Sequence, residues 1–192
     1  DIKATIAVLF NDFLKLQDYK ITITALAHSV QAVIQNSFLP ISESPILWLQ
    51  GLTGSGKTTI AKFVQQLHGK FDTLVTINST MRSIEQYSYY FKDALLVIDD
   101  YKAGFHGNNL VPVLQSLYDR SSRGKMNKDG NLASVVNNRS LLMFTAEDCP
   151  QAEASVISRL IILESPHISV DSEETEHSFN RVSKYQDKFP SI

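Results

Sequence analysis

The chain has 192 residues and a formal net charge of −2, which excludes a generally basic surface, so any contact with nucleic acid would be local. Hydrophobic residues make up 43% and charged residues 20%, a composition typical of a globular domain and not of a disordered chain. No apolar run approaches the roughly 20 residues of a membrane span, and the first residues lack the pattern of a signal peptide.

The single cysteine, Cys149, excludes an intramolecular disulfide and fits a reducing compartment, so a cytoplasmic protein is predicted. Because no apolar run is long enough to span a membrane, no membrane partner is predicted. The five histidines are far apart and show no metal-binding spacing. Because the sequence begins with Asp1 rather than Met, we expect it to be an excised or processed part of a longer protein.

Residues 1–43 are predicted to form a helical segment, because apolar residues recur at three- and four-residue spacing in IAVLFNDFLKL and TALAHSVQAVIQ. After a turn-rich connector, short apolar runs alternate with stretches of helical periodicity. This alternation predicts an α/β core over residues 44–165, with a parallel sheet covered by helices on both faces. The predicted strands are 46–50, 74–78, 94–100, 140–145 and 159–164, and the predicted helices between them are 58–69, 81–93 and 110–120.

The last segment, residues 166–192, differs from the core in composition. HISVDSEETEHS is acidic and aperiodic, so it is predicted to be a mobile linker. FNRVSKYQDKF, which follows it, is predicted to form one last short helix. The sequence therefore predicts three parts: a helical N-terminal segment, an α/β core and a C-terminal tail.

GLTGSGKT, residues 51–58 (the phosphate loop), matches the pattern G-x-x-x-x-G-K-[ST] at every fixed position, after a predicted strand and at the start of a predicted helix. Its glycines let backbone N–H groups turn toward phosphate oxygens, and the helix N-terminus adds donors and a positive dipole end. Lys57 is expected to reach the β- and γ-phosphates, and the Thr58 hydroxyl to bind Mg²⁺. The predicted nucleotide-binding residues are Gly51, Thr53, Gly54, Ser55, Gly56, Lys57, Thr58 and Thr59.

A second motif, ALLVIDD, brings two acids to the end of a buried strand. In parallel α/β sheets ligands bind beyond the carboxyl ends of the strands, so both acids are expected beside the phosphate loop. Asp99 is the predicted metal ligand, together with Thr58, and Asp100 is the predicted base that polarises the attacking water. The alternative is a pair of solvated acids. Together the two motifs predict binding of a nucleoside triphosphate with Mg²⁺ and hydrolysis of the nucleotide.

The order of these motifs, ending in SRLIIL, resembles the core of an AAA+ P-loop ATPase over about residues 44–165. More narrowly, INST, DALLVIDDY and SRGKMNKDG make the chain similar to the helicase-like ATPase domains associated with primases of phages, plasmids and other mobile elements. The resemblance implies a three-layer fold with strand order 5-1-4-3-2. It also implies a ring of commonly six subunits that acts on DNA as a replicative helicase motor, with a primase or other replication domain on the same chain or in complex.

The resemblance also assigns a sensor residue. Thr145 ends the strand where the family often has Asn, and Glu147 and Asp148 nearby are possible local substitutes. At the second acidic position the family often has Glu, so Asp100 is a departure with a shorter side chain.

Arg159, just before the fifth predicted strand, falls on the family's arginine finger, which enters the neighbouring subunit's site. A guanidinium there stabilises charge on the transferring phosphoryl group. The alternative is a structural arginine that caps a helix or pairs with Glu164. The lid domain that usually follows is not recognisable. The predicted catalytic residues are Lys57, Asp100, Thr145 and Arg159.

The segment RSSRGKMNKDG, residues 120–130, packs four cationic side chains into eleven residues. Asp-Gly is a strong tight-turn dipeptide, so a short hairpin is predicted around it. In the helicases that the chain resembles, an insertion here points into the ring pore and grips the backbone of single-stranded DNA. The alternatives are a plain surface hairpin, or arginines that serve a neighbour's ATP site. The predicted nucleic-acid-binding residues are Lys125, Asn127 and Lys128.

Two other functions stay open at the level of sequence. A P-loop kinase for nucleotides or small molecules would use Arg120, Arg123 and Lys125 as a cationic lid, although paired acids on the third strand favour activation of water. A nucleotide-gated assembly module would bind nucleotide but hydrolyse it slowly, because of the departures at Asp100 and Thr145.

Overall fold

The computed structural model describes residues 2–38, 43–103, 110–121, 137–166 and 173–191. Within these ranges the helices are α1 (Ile2–Asn11), α2 (Tyr19–Phe38), α3 (Lys57–Gln65), α4 (Met81–Tyr90), α5 (Leu110–Tyr118), α6 (Ala154–Ile157) and α7 (Glu173–Tyr185). The strands are β1 (Ile46–Gln50), β2 (Val75–Thr76), β3 (Leu95–Tyr101), β4 (Leu141–Ala146) and β5 (Leu160–Glu164). None of these helices combines the length and apolar character that a bilayer crossing requires.

The five strands form one sheet in the order β2-β3-β4-β1-β5, and every neighbouring pair is parallel. This is the predicted order 5-1-4-3-2 read from the other edge, so the α/β class and the strand order are confirmed. In β1, which lies between β4 and β5, Trp48 is paired with Phe144 of β4 and Ile162 of β5. β2 is shorter than predicted, because a turn closed by the N–H of Ser79 on the carbonyl oxygen of Thr76 (3.0 Å) follows it.

Successive side chains of the inner strands point to opposite faces of the sheet, so each face has its own apolar core. Helices α2 and α3 cover one face and α4 and α5 the other. Because both faces are covered, these strands are apolar at consecutive positions. The first core contains Leu47, Leu49, Leu95, Val97, Leu141 and Met143, and the second contains Ile46, Trp48, Leu96, Ile98, Leu142 and Phe144.

Segments from both ends of the chain pack on the same face of the sheet. Val8 of α1, Phe13, Val182 of α7 and Phe189 belong to the core that includes the first set of strand residues. Helix α7 begins at Glu173, before the last helix that the sequence predicts, so part of the expected acidic linker is helical. Glu173, Glu174 and Glu176, three of the acids that indicated a linker, lie in the first turn of α7, where the helix dipole favours negative charge.

Two histidines join α2 to its neighbours. His28 is 3% exposed, and its Nε2 donates a hydrogen bond to the carbonyl oxygen of Leu142 (2.9 Å). One residue on, Ser29 Oγ donates to the carbonyl oxygen of Val64 (2.9 Å) and lies 2.9 Å from His68 Nε2. Burial lowers the pKa of each histidine to about 4. Both rings therefore stay neutral in the folded chain at pH values where an unfolded histidine is protonated.

The pH dependence of unfolding follows from these rings. An unfolded histidine titrates near pH 6.5, so between pH 6.5 and 4 the unfolded chain binds protons that the folded chain does not, and stability falls as the pH is lowered. We expect a loss of about 3 kcal/mol at pH 4 for His28 alone. Urea unfolding of the wild type and of His28→Gln at pH 7 and pH 4 measures it, with the exposed His177→Gln as the matched control. The same pH slope in all three proteins would contradict this account.

Candidate functional site

The phosphate loop connects the end of β1 to the start of α3. Gly51 has no room for a side chain, since a Cβ there would lie 2.4 Å from the carbonyl oxygen of Ser165. Gly56, the residue before α3, has a φ of 77°, a left-handed conformation that glycine adopts without steric cost. The local backbone therefore requires these glycines, and the N–H groups in the first turn of α3, which have no helical partner, lie at the loop.

Lys57 begins α3, and only 8% of its surface is exposed. Its ammonium donates hydrogen bonds to the carbonyl oxygens of Gly51 (2.6 Å) and Leu52 (2.8 Å) and to Ser55 Oγ (3.1 Å). Burial lowers the pKa of Lys57, and nearby carboxylates, first among them Glu147, oppose that shift. The ammonium thus lies against the loop that carries it.

The side chain of Asp99, in β3, is hydrogen-bonded both to the phosphate loop and to β4. Its Oδ1 accepts hydrogen bonds from Thr58 Oγ1 (2.9 Å) and from Thr145 Oγ1 (2.5 Å). The hydroxyl oxygen of Thr145 in turn accepts from the backbone N–H of Asp100 (3.1 Å). The fold therefore brings together four residues that the sequence assigns to metal binding and catalysis.

The two acids of β3 have different surroundings. The register of β3 against β4 shifts between Ile98 and Tyr101, and within this irregularity Asp100 has a φ of 68°. Such bulges redirect side chains and occur beside functional sites. Asp99 accordingly contacts Thr58, whereas the Asp100 side chain is 60% exposed and lines the neighbouring cavity.

A cavity of about 310 Å³ (the phosphate cavity) opens between the phosphate loop and the ends of β3 and β4. At its edge Glu147 Oε1 accepts a hydrogen bond from Thr53 Oγ1 (2.6 Å) and lies 3.0 Å from Lys102 Nζ. The Thr53 hydroxyl, and then Lys102, lower the pKa of Glu147. The lining residues are Thr53, Gly54, Gly56, Lys57, Thr58, Thr59, Asp100, Thr145, Ala146 and Glu147.

A second cavity, of about 290 Å³, meets the first at Gly54, Gly56 and Thr59. Three apolar side chains and two polar residues of α7 complete its walls: Leu16, Ile60 and Phe179, with Thr175 and Glu176. The phosphate loop therefore borders two cavities, one with a polar lining and one with a mainly apolar lining.

Gln17 links the phosphate loop by hydrogen bonds to the residues that follow β5. Its Nε2 lies 3.0 Å from the carbonyl oxygen of Ser55 and 3.1 Å from both Ser165 Oγ and the carbonyl oxygen of Pro166. Ser165 Oγ donates to the same Ser55 oxygen (2.9 Å). The base of the loop is thus held by side chains from the N-terminal segment and from the end of the sheet.

A known family model matches this chain. The family described as Domain of unknown function (DUF927) matches residues 11–137, about two thirds of the chain. The chain belongs to the DUF927 family. The match includes the phosphate loop and the whole of β3. No curated protein is significantly similar to the chain.

Solved helicase structures share the fold of this DUF927 chain. An active helicase, SCCmec type IV Cch, gives a TM-score of 0.68 at 13% identity over 98% of this chain and 38% of that one. JCV helicase gives 0.57 at 14% identity over 98% and 51%. The apo C-terminal region of NrS-1 gives 0.53 at 13% identity over 96% and 45%. The chain thus spans about half or less of each, and the predicted likeness to helicase-like domains is confirmed at the level of the fold.

Arg159 of this DUF927 chain lies between α6 and β5, and it is not among the described residues that line the phosphate cavity. Its guanidinium donates to the carbonyl oxygen of Ser155, Nε lies 3.7 Å from Asp119 Oδ1, and the group stacks over the ring of Tyr118 at 5.2 Å. Its acidic neighbour is therefore Asp119, whereas Glu164 accepts a hydrogen bond from a glutamine of β1. The finger role stays a prediction.

The predicted nucleic-acid-binding residues of the DUF927 chain, Lys125, Asn127 and Lys128, lie outside the described residues, so the hairpin stays a prediction. Arg120, at the start of the same basic segment, follows α5 with a φ of 49°. Burial lowers its pKa, and the charge of Asp93 opposes that shift. Arg120 is thus partly buried in its own chain.

Two residues of the DUF927 site were missed by sequence reasoning. Lys102 is the residue that directly follows β3. Because β3 brings Asp100 to the cavity, the position of Lys102 in the sequence could have indicated that it lies near the site. Gln17 carried no signal, because it is a single polar residue with no motif around it.

Proposed function

We propose that this chain is the motor domain of a helicase, which binds ATP with Mg²⁺ at the phosphate loop and hydrolyses it to move along or unwind DNA. The observation that carries the proposal is the hydrogen bond between Thr58 and Asp99, because it joins the end of the phosphate loop to the acidic strand beside one cavity. The fold shared with solved helicases supports the same reading. Residues 44–165 would be the ATPase core, of the AAA+ P-loop type.

In this proposal the phosphates lie against the backbone N–H groups of the loop and the first turn of α3. The ammonium of Lys57, which bonds to loop carbonyl oxygens, turns to the β- and γ-phosphates and exchanges one set of oxygen acceptors for another. Because Lys57 is already held at the loop, little side-chain freedom is lost on binding.

The residues present fit a magnesium ion. Thr58 Oγ1 and Asp99 Oδ1 are oxygen donors 2.9 Å apart, and Mg²⁺ prefers a few protein oxygens together with phosphate oxygens and water. When bound, the ion neutralises charge on the β- and γ-oxygens. Thr145 donates a hydrogen bond to Asp99 and accepts one from the backbone N–H of Asp100. The backbone at Asp100 is thereby fixed, and its carboxylate, which lines the cavity, would orient the attacking water.

The remaining parts of the proposal concern assembly. Arg159 would act on the ATP of a neighbouring subunit in a ring, commonly of six, and Lys125, Asn127 and Lys128 would contact DNA in the pore. A primase or other replication domain would act on the same chain or in complex. The mainly apolar cavity beside the phosphate loop would take the nucleoside half of ATP, since Phe179, Leu16 and Ile60 offer a surface for a flat base.

The proposal is tested by ATP hydrolysis measured alone, with single-stranded DNA and with duplex DNA, alongside native mass with nucleotide. We expect DNA to raise the hydrolysis rate. Lys125→Ala with Lys128→Ala should remove the stimulation and reduce the salt slope of single-strand binding by about 1.4. Lys70→Ala with Lys92→Ala is the matched control, because both lysines are exposed and lie away from the phosphate cavity.

Three results would count against the motor. A strict monomer with no DNA stimulation would refute it. Phosphate transfer from ATP to a nucleoside would favour the kinase. Tight nucleotide binding that drives assembly without measurable hydrolysis would favour the assembly module.

A further inference from the structure

The carboxylate of Glu147 is held at the edge of the phosphate cavity by a hydroxyl of the phosphate loop and by a cation. Thr53 Oγ1 donates to Oε1 at 2.6 Å, and Lys102 Nζ lies 3.0 Å from the same oxygen. Thr53 and Glu147 both line the cavity. A carboxylate of the protein itself thus accepts the hydrogen bond of the Thr53 hydroxyl at this cavity.

These contacts are of the kind that a phosphate oxygen makes in a nucleotide site. Phosphate is bound by hydrogen-bond donors of the loop together with a cation, and a carboxylate uses the same donors with the same charge-assisted geometry. A carboxylate and a terminal phosphate cannot both use them, because like charges about 4 Å apart repel by roughly 4 kcal/mol near a protein surface. Binding of a triphosphate therefore requires Glu147 to move.

Lys102 has a second acid within reach. Its Nζ lies 3.7 Å from Asp100 Oδ1 as well as 3.0 Å from Glu147 Oε1. The backbone of Lys102 directly follows β3, and its side chain is 38% exposed, so the ammonium can change partner without a change in the fold. Exposed ion pairs of this kind contribute little to stability, and so they exchange easily.

We propose that Glu147 occupies the position of the terminal phosphate as an internal anion, and that a nucleoside triphosphate displaces it and takes over Lys102. The inference rests on the proposed function. Lys102 then contacts the third phosphate only. A diphosphate is too short to displace Glu147, so the Glu147–Lys102 pair re-forms once the terminal phosphate has left. The site distinguishes triphosphate from diphosphate through this exchange.

The test is calorimetric titration of the whole chain with Mg²⁺ and either a non-hydrolysable ATP analogue or ADP. Lys102→Met should weaken the triphosphate analogue about tenfold, since one charge-assisted contact is lost, and change ADP by less than about twofold. Glu147→Gln should tighten the triphosphate analogue about fivefold, because the competing charge is removed while an oxygen for Thr53 is kept. Lys102→Arg should retain the preference for triphosphate.

The matched control is Asp72→Asn, which removes an exposed carboxylate that does not line the phosphate cavity and leaves the contacts of Thr53 and Lys102 intact. It should leave the ratio of triphosphate to diphosphate affinity unchanged. Melting temperatures of all variants near that of the wild type would show that the fold is retained.

The outcomes separate this inference from the proposed function. Suppose that the wild type binds nucleotide, and that the variants change the affinities for triphosphate and diphosphate by the same factor or leave both unchanged. The displacement of Glu147 by the terminal phosphate is then refuted, whereas the proposed nucleotide site still stands. If the wild type binds no nucleotide, the proposed function is refuted and the exchange with it.

Discussion

Lys57→Ala is expected to weaken nucleotide binding about a hundredfold, because an ammonium bonded to phosphate contributes roughly 3 kcal/mol. The fold already holds the Lys57 ammonium on the carbonyl oxygens of Gly51 and Leu52, so this charge is present at the loop before any ligand arrives. Alanine leaves the helix intact, since it is the best helix former. The measurement is titration with ATP and Mg²⁺, followed by heat release or by fluorescence of a labelled nucleotide.

The matched control for this variant is Lys62→Ala. Lys62 lies on the same helix, α3, and is exposed. The Lys62→Ala substitution removes one positive charge, as Lys57→Ala does, but it removes no contact with the phosphate loop. An affinity of Lys57→Ala within threefold of the control would refute the phosphate-binding role, provided that both variants melt near the temperature of the wild type.

Arg159→Ala is expected to lower the ATPase rate about a thousandfold and to change nucleotide affinity by less than threefold, because an arginine finger acts on the transition state from a neighbouring subunit. Arg159 is not among the described residues that line the phosphate cavity of its own chain. Mixing Arg159→Ala with Lys57→Ala subunits should restore part of the rate. At some interfaces of the mixed ring, the intact phosphate loop of an Arg159→Ala subunit would face the intact arginine of a Lys57→Ala subunit. Single-turnover hydrolysis of the mixtures is the measurement.

If Arg159 instead has a structural role within its own chain, a different set of results is expected. Within the chain the guanidinium bonds to Ser155, lies near Asp119 and stacks on Tyr118, so a structural role would lower the melting temperature when any of these contacts is removed. Asp119→Asn loosens this arrangement and leaves the guanidinium in place. If Asp119→Asn and Arg159→Ala lower stability and activity in parallel, and mixing restores nothing, the finger is refuted.

The sequence predicts the sheet well, because its inner strands are buried on both faces. Such strands are apolar at consecutive positions, as in the stretch from Ile46 to Leu49, and they stand out from the amphipathic helices between them. The phosphate loop is predicted for a different reason. Its glycines meet backbone requirements, a left-handed φ at Gly56 and a close approach at Gly51, that few other residues satisfy.

Other parts depend on contacts that are distant in sequence. Helix α7 is acidic and weakly apolar, and its position follows from Val182 and Phe189 in a core shared with α1. The contact between Thr53 and Glu147 joins residues 94 positions apart, and neither residue type signals its partner. Charge and periodicity are local properties of a sequence, so they predict elements and motifs better than they predict which side chains meet across a cavity.

The bulge at the end of β3 has a consequence for how this domain would respond to selection for heat resistance. Asp100 adopts a φ of 68°, where a residue with a Cβ is roughly 1 kcal/mol less stable than glycine. Glycine at this position would therefore make the chain harder to melt while removing the carboxylate from the cavity. In the proposed function, where Asp100 orients the attacking water, thermal stability and turnover would favour different residues at position 100.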